Sequence, residues 1–207
     1  MTVTSKYMEE TAYLKAKEEL LTAAQSGCQQ FFSDNGFILE SAYYYLLHKN
    51  LDEAKTLFKK LQDFDIRAHW GYFLSALIDE RIEGYPSYLE LRNFYEVDLQ
   101  LFFTYYLGQY IEKLCNYTDW LFSINPEIYK YTGRVFLKNN YPDLGIHFLK
   151  LAKENYFNDP ELHYLLGEYN MNTGNYKEAL ADLDNCLGIL PGYFPAERAR
   201  EQIKTML

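Results

Sequence analysis

Three cations stand at a spacing that lets them act together. Lys130, Arg134 and Lys138 recur every four residues, which on a helix places them along one side. Such a row could receive an acidic peptide, a C-terminal carboxylate or a phosphate through charge-assisted hydrogen bonds. It could equally be consumed inside the protein by pairing with Glu127, Glu161 or Glu168. From the residues alone both readings stand. At an offset of 34 residues the matching positions hold Tyr164, Glu168 and Asn172, and Arg198 and Gln202 continue the row. These eight residues are the candidate ligand-binding set.

Other chemistry finds little support. His48, His69, His147 and His163 form no HxxxH pair, and none neighbours a cysteine at ligand spacing, so no metal site is expected. Cys28, Cys115 and Cys186 are odd in number and lack a CxxC pair, which argues for a reducing compartment and a cytoplasmic chain. Neither a phosphate loop nor a nucleophile elbow occurs. Asp182-Leu183-Asp184 has a DxD form, but it falls in a helical stretch rather than at a strand end. The expectation is a chain that is not an enzyme and carries no cofactor.

Charge and hydropathy narrow the partners. The 207 residues carry 20 basic and 29 acidic side chains, a net charge of −9. Nucleic acid is therefore not an expected partner. The opening MTVTSKYMEE is too polar for a signal peptide. No apolar run is long enough for membrane insertion.

The elements that must position these residues show as a repeat. Residues 126–158 overlay the stretch that begins at Pro160 at an offset of 34, with Pro126 on Pro160, Glu127 on Glu161, Gly133 on Gly167, Leu149 on Leu183 and Ala152 on Cys186. Gly145 falls on Ala179, a second small pair. Gly174-Asn175-Tyr176 marks the turn between two helices, with Gly174 suited to a left-handed helix end. Residues 37–65 read as another hairpin, with Asn50 on Asn175 and Ala54 on Ala179. Two further hairpins are predicted over 68–95, broken at Gly84-Tyr85-Pro86, and over 97–122, broken at Gly108, with Leu101 in the slot that wants a small residue.

With Leu166-Gly167, Gly174-Asn175-Tyr176, Ala179 and Pro191 in place, the sequence resembles the tetratricopeptide repeat family. The resemblance implies an all-α fold: a right-handed α-solenoid of about five stacked antiparallel hairpins, with an N-terminal helix and a C-terminal capping helix. The whole chain, 1–207, is then one array. Residues 1–33 form the N-terminal helical segment, with a helix over 5–26. Residues 34–125 are divergent repeats, 126–193 two clear repeats and 194–207 the capping helix. The resemblance also implies that first helices line a concave face where a peptide or protein partner, including one with an acidic segment, is held. The sub-family that clamps chaperone carboxylates has Asn where Arg134 stands and a polar residue where Leu165 stands, so that partner is not implied.

Two features point elsewhere. Tyr43-Tyr44-Tyr45, Tyr72-Phe73, Phe102-Phe103 and Tyr105-Tyr106 crowd predicted first helices. They either wall a groove for an apolar peptide or sugar, or fill space between hairpins. The stretch GYPSYLELRNFYEVDLQLFF with SINPEIYKY resembles helical repeat regions that follow the catalytic domain in some bacterial family 2 glycosyltransferases. That resemblance implies an accessory module whose partner is a glycan or a glycosyltransferase. The leading expectation is a non-catalytic protein-interaction scaffold.

Overall fold

The computed structural model describes residues 37–156 and 158–206. The expected helix over 5–26, the 1–33 segment and Cys28 lie outside the described residues. Among the described residues every regular element is helical, and within each unit several sequence-adjacent helices pack against one another. Two compact units are present. One holds the described residues through Glu90 together with Leu101–Leu114; the other holds Leu91–Gln100 and the described residues from Cys115 onward.

In the first unit α1 (Ile38–Leu47), α2 (Leu51–Leu61) and α3 (Ile66–Ile78) pack in succession. Tyr43 meets the edge of Phe58 with ring centroids 5.1 Å apart, and Trp70 and Phe73 are buried, their ring centroids 5.7 Å apart. Gly71 leaves its side-chain space to the Phe58 ring. Asp65 starts α3 by accepting the Arg67 amide at 2.9 Å, a cap that satisfies an otherwise orphaned donor. Residues 37–65 thus form the hairpin read from the sequence.

The next stretch departs from expectation. After the irregular residues around Gly84-Tyr85-Pro86, α4 (Tyr88–Glu90) runs into a π-helical segment (Leu91–Tyr95) and on into α5 (Glu96–Thr104) without a break. The expected boundary between residues 95 and 97 is therefore absent. No Gly or Pro lies between Tyr88 and Thr104, so nothing forces the helix to end, and the wider π turns absorb the change of register. Ser87 and Glu90 open this helix with reciprocal bonds: the Ser87 amide to Glu90 Oε2 at 2.7 Å, the Glu90 amide to Ser87 Oγ at 3.2 Å. His69 Nδ1 lies 2.5 Å from the other Glu90 oxygen. Gly108, expected as a break, is the first residue of α6 (Gly108–Asn116).

In the second unit α7 (Thr118–Phe122) leads to α8 (Ile128–Lys138), α9 (Pro142–Asn155), α10 (Pro160–Asn172), α11 (Tyr176–Ile189) and α12 (Phe194–Met206). α8 pairs with α9, α10 with α11, and α9 packs on α10. The 34-residue step is visible in contacts. A Cβ on Gly133 would lie 2.8 Å from the Gly145 carbonyl oxygen and 2.8 Å from the Leu149 side chain. A Cβ on Gly167 would lie 2.8 Å from Leu183 and 3.3 Å from the Ala179 carbonyl oxygen. Ala196, Ala199 and Ile203 of α12 join Ala179, Leu183 and Cys186 in one buried cluster.

One turn geometry recurs within both units. Lys49, Glu80 and Tyr106 in the first, and Asn140 and Gly174 in the second, have positive φ. Each donates its amide to the carbonyl three residues back, and the next amide reaches five residues back, which satisfies the last carbonyls of the preceding helix. Only one of the five is glycine.

Candidate functional site

α8 and α10 are the first helices of successive hairpins, and a cleft of about 610 Å³ lies between them. Four of the eight expected residues line it: Arg134 and Lys138 from α8, Glu168 and Asn172 from α10. Leu137 and Leu165 supply an apolar floor, and Tyr169, Asn140 and Pro142 complete the wall. The four-residue spacing brings these positions to one side because both helices are regular and the short turn at Asn140 ends α8 beside the cleft.

The cationic row is largely consumed by the protein. Lys130 is 5% exposed. Its Nζ donates to Asp159 Oδ2 at 2.6 Å and to Glu127 Oε1 at 3.1 Å, and lies 3.1 Å from Glu161 Oε2. Arg134 donates through Nε to Glu96 Oε1 at 2.7 Å, through a second nitrogen to the other Glu96 oxygen, and through the third to Glu161. Of the two readings open in the sequence, internal pairing holds for Lys130 and Arg134. Lys130, one of the eight expected ligand-binding residues, is buried under its partners. Lys138 remains exposed at the cleft edge.

These contacts set the charges. Burial works against the Lys130 ammonium, yet Asp159, Glu161 and Glu127 raise it above the ordinary lysine range. Burial likewise opposes the Arg134 charge, and Glu96 and Glu161 restore it. Burial pushes the Glu127 carboxyl up, but hydrogen bonds from Tyr131 and Lys130 hold it below its usual range. Both cations and Glu127 are therefore ionised at neutral pH.

The remaining expected residues are spread more widely. Tyr164 donates to Glu168 Oε1 at 2.8 Å along α10 and stacks edge-on against Tyr193 at 5.5 Å. Arg198 and Gln202 are exposed on α12 and do not line the cleft.

Two contributors were missed by sequence reasoning. Asp159 both caps α10, accepting the Glu161 and Leu162 amides at 2.9 and 3.2 Å, and holds Lys130. An Asp directly before Pro160 is a helix-start signal that could have singled it out. Glu96 lies 38 residues before Arg134 in sequence, and no local signal marks it.

Several of the other candidates are buried or internally paired. Asp182 sits inside α11, taking bonds from Lys153 at 2.6 Å and Asn170 at 3.2 Å, with His163 Nδ1 3.7 Å away. Burial pushes the Cys186 thiol up to about 11, which makes it a poor nucleophile. Among the described residues no group of three or more His, Cys, Asp or Glu is placed to share a metal. No helix among them is long and apolar enough to cross a membrane. Tyr43, Phe73 and Phe102 fill the core, whereas Tyr106 is 93% exposed.

The fold is tetratricopeptide-like. Paired helices, the 34-residue step and the repeated small-residue contacts carry that statement. No protein-family model matches the chain, and no curated protein does. Among solved structures it is similar to one described as the crystal structure of the APC/C hetero-tetramer Cut9-Hcn1. That match has 15% identity and a TM-score of 0.41, over 89% of this chain. The chain spans 48% of the length of that one.

Proposed function

We propose that this protein is a non-catalytic interaction scaffold that holds an extended segment of a partner protein in the cleft between α8 and α10. The observation supporting this reading is that four side chains singled out by the repeat register line one cleft of about 610 Å³. Its size falls within the range of ligand sites, and it combines an apolar floor with a few convergent polar groups. Asn140 and Asn172 each offer a donor and an acceptor to a peptide backbone. Leu137, Leu165 and Tyr169 offer surface for its side chains.

Site-specific photocrosslinking tests this. A benzoylphenylalanine at Asn172 should capture the partner in the source cell, and one at Glu154, exposed on α9, should not. Equal capture at both positions would remove the cleft from consideration.

A further inference from the structure

We propose that a second pocket, of about 490 Å³ between α9, α10 and the start of α11, is an anion site that takes a phosphate monoester. Lys150, His147 and Asp143 line it from α9, Tyr169 and Asn170 from α10, and Asn175 from the turn before α11. Lys150 and His147 are three residues apart, on one side of α9, and both are exposed. Neither they nor Asp143 nor the Tyr169 hydroxyl has a hydrogen-bond or ion-pair partner among the described residues. Asn170 Nδ2 donates one hydrogen to Asp182 at 3.2 Å, and Asn175 Nδ2 one to Thr173 Oγ1 at 3.0 Å. Each amide nitrogen keeps a second hydrogen. Five donor groups from three segments are thus set against one carboxylate. A ligand that satisfies them needs negative charge and several acceptor oxygens, which a phosphate has.

The next repeat shows how such a charge is met when the protein meets it. At the 34-residue step Lys150 falls on Asp184 and Leu166 on Arg200. There Arg200 of α12 reaches back to Asp184 of α11 at 3.3 Å, so the charge on one helix is answered by the helix that follows. In the pocket, α9 presents Lys150 and α10 offers the apolar Leu166 where the counter-charge would stand. The counter-ion of Lys150 therefore comes from outside the chain. Of the pocket's lining residues Tyr169 alone also lines the α8–α10 cleft, and the two sites stand or fall separately.

The test is titration of the full chain with inorganic phosphate, N-acetyl-phosphoserine amide and acetate at constant ionic strength, followed by the imidazole signals of the histidines in NMR. His147→Gln assigns the His147 signal. That signal should move saturably with phosphate and with the phosphoserine amide while His48 stays still, and acetate should bind more weakly. Lys150→Gln should weaken phosphate binding about fivefold, and Asp143→Asn should strengthen it about as much. Both side chains are exposed, so neither change disturbs the core. Tighter binding of the phosphoserine amide than of phosphate assigns the site to a phosphorylated protein side chain, and the reverse order to a small free phosphate. A shift that rises without saturating or is matched at His48, acetate binding as tightly as phosphate, or an affinity indifferent to both variants would overturn the site.

Discussion

Lys130 of α8 reaches Asp159 at the start of α10 with an Nζ–Oδ2 distance of 2.6 Å, and so ties one hairpin to the next. The other Asp159 oxygen caps α10. A single carboxylate thus fixes both where the helix begins and how it sits against its neighbour. The cleft wall depends on that arrangement.

Removing one partner from a nearly buried ion pair leaves the other uncompensated. Lys130→Met is expected to lower stability by about 3 kcal/mol, measured by urea denaturation. Asp159→Ala should cost a comparable amount, since cap and ion pair go together. The double variant should lose less than the sum of the two, because each single change already breaks the shared contact.

Acid should unfold the protein through specific carboxylates. Glu127, Asp65 and Asp182 are held below their ordinary values. For Asp182, burial acts the other way and is outweighed by His163 and Lys153. A depressed folded-state value stabilises the protein above the unfolded value and loses that contribution as pH falls through the folded one. Stability should therefore be level above about pH 5 and fall below about pH 4. Glu127→Gln and Asp182→Asn should flatten that fall. The raised Lys130 value acts in the opposite sense: its contribution holds below the ordinary lysine range and is lost only on raising pH through the higher folded value. It leaves no mark on the acid limb.

The close helix contacts should be intolerant in a graded way. Gly133→Ala places a methyl against the Gly145 carbonyl and Leu149, and should cost about 1–3 kcal/mol. Gly108→Ala meets nothing within 4 Å and has ordinary φ, so it should be neutral or stabilising by up to about 1 kcal/mol. Thermal unfolding of the two variants side by side gives the comparison.

The turn positions offer the reverse experiment. Lys49 and Tyr106 adopt positive φ with side chains that disfavour it. Lys49→Gly and Tyr106→Gly should each stabilise the chain by about 0.5–1 kcal/mol, seen as a higher Tm. The gain should be additive, as the two lie in separate turns.

These turns also show where sequence information ran out. Gly174 announced its conformation; Lys49, Glu80, Tyr106 and Asn140 adopt it without the residue type that signals it. The hairpins from residue 126 onward were legible because Gly133, Gly145, Gly167 and Ala179 must be small where helices touch. The run from Tyr88 to Thr104 was misread as two helices, although the lack of Gly and Pro argued for one. Half of the expected site residues line the cleft, because helical spacing puts them there. Their pairing was not legible: Glu96 finds Arg134 only through the folded arrangement of the second unit, and of the three cations in the row Lys138 is the one that stays exposed.

The central claim is that the cleft between α8 and α10 is where the partner lies. The most direct measurement is a methyl and side-chain-amide NMR titration of the full chain with a peptide selected on it from a random display library. Leu137 and Leu165 methyls and the Asn140 and Asn172 amides should shift together and saturate at one concentration. Shifts confined to the outer face of α9, or to the unit containing α1 to α3, would contradict the account.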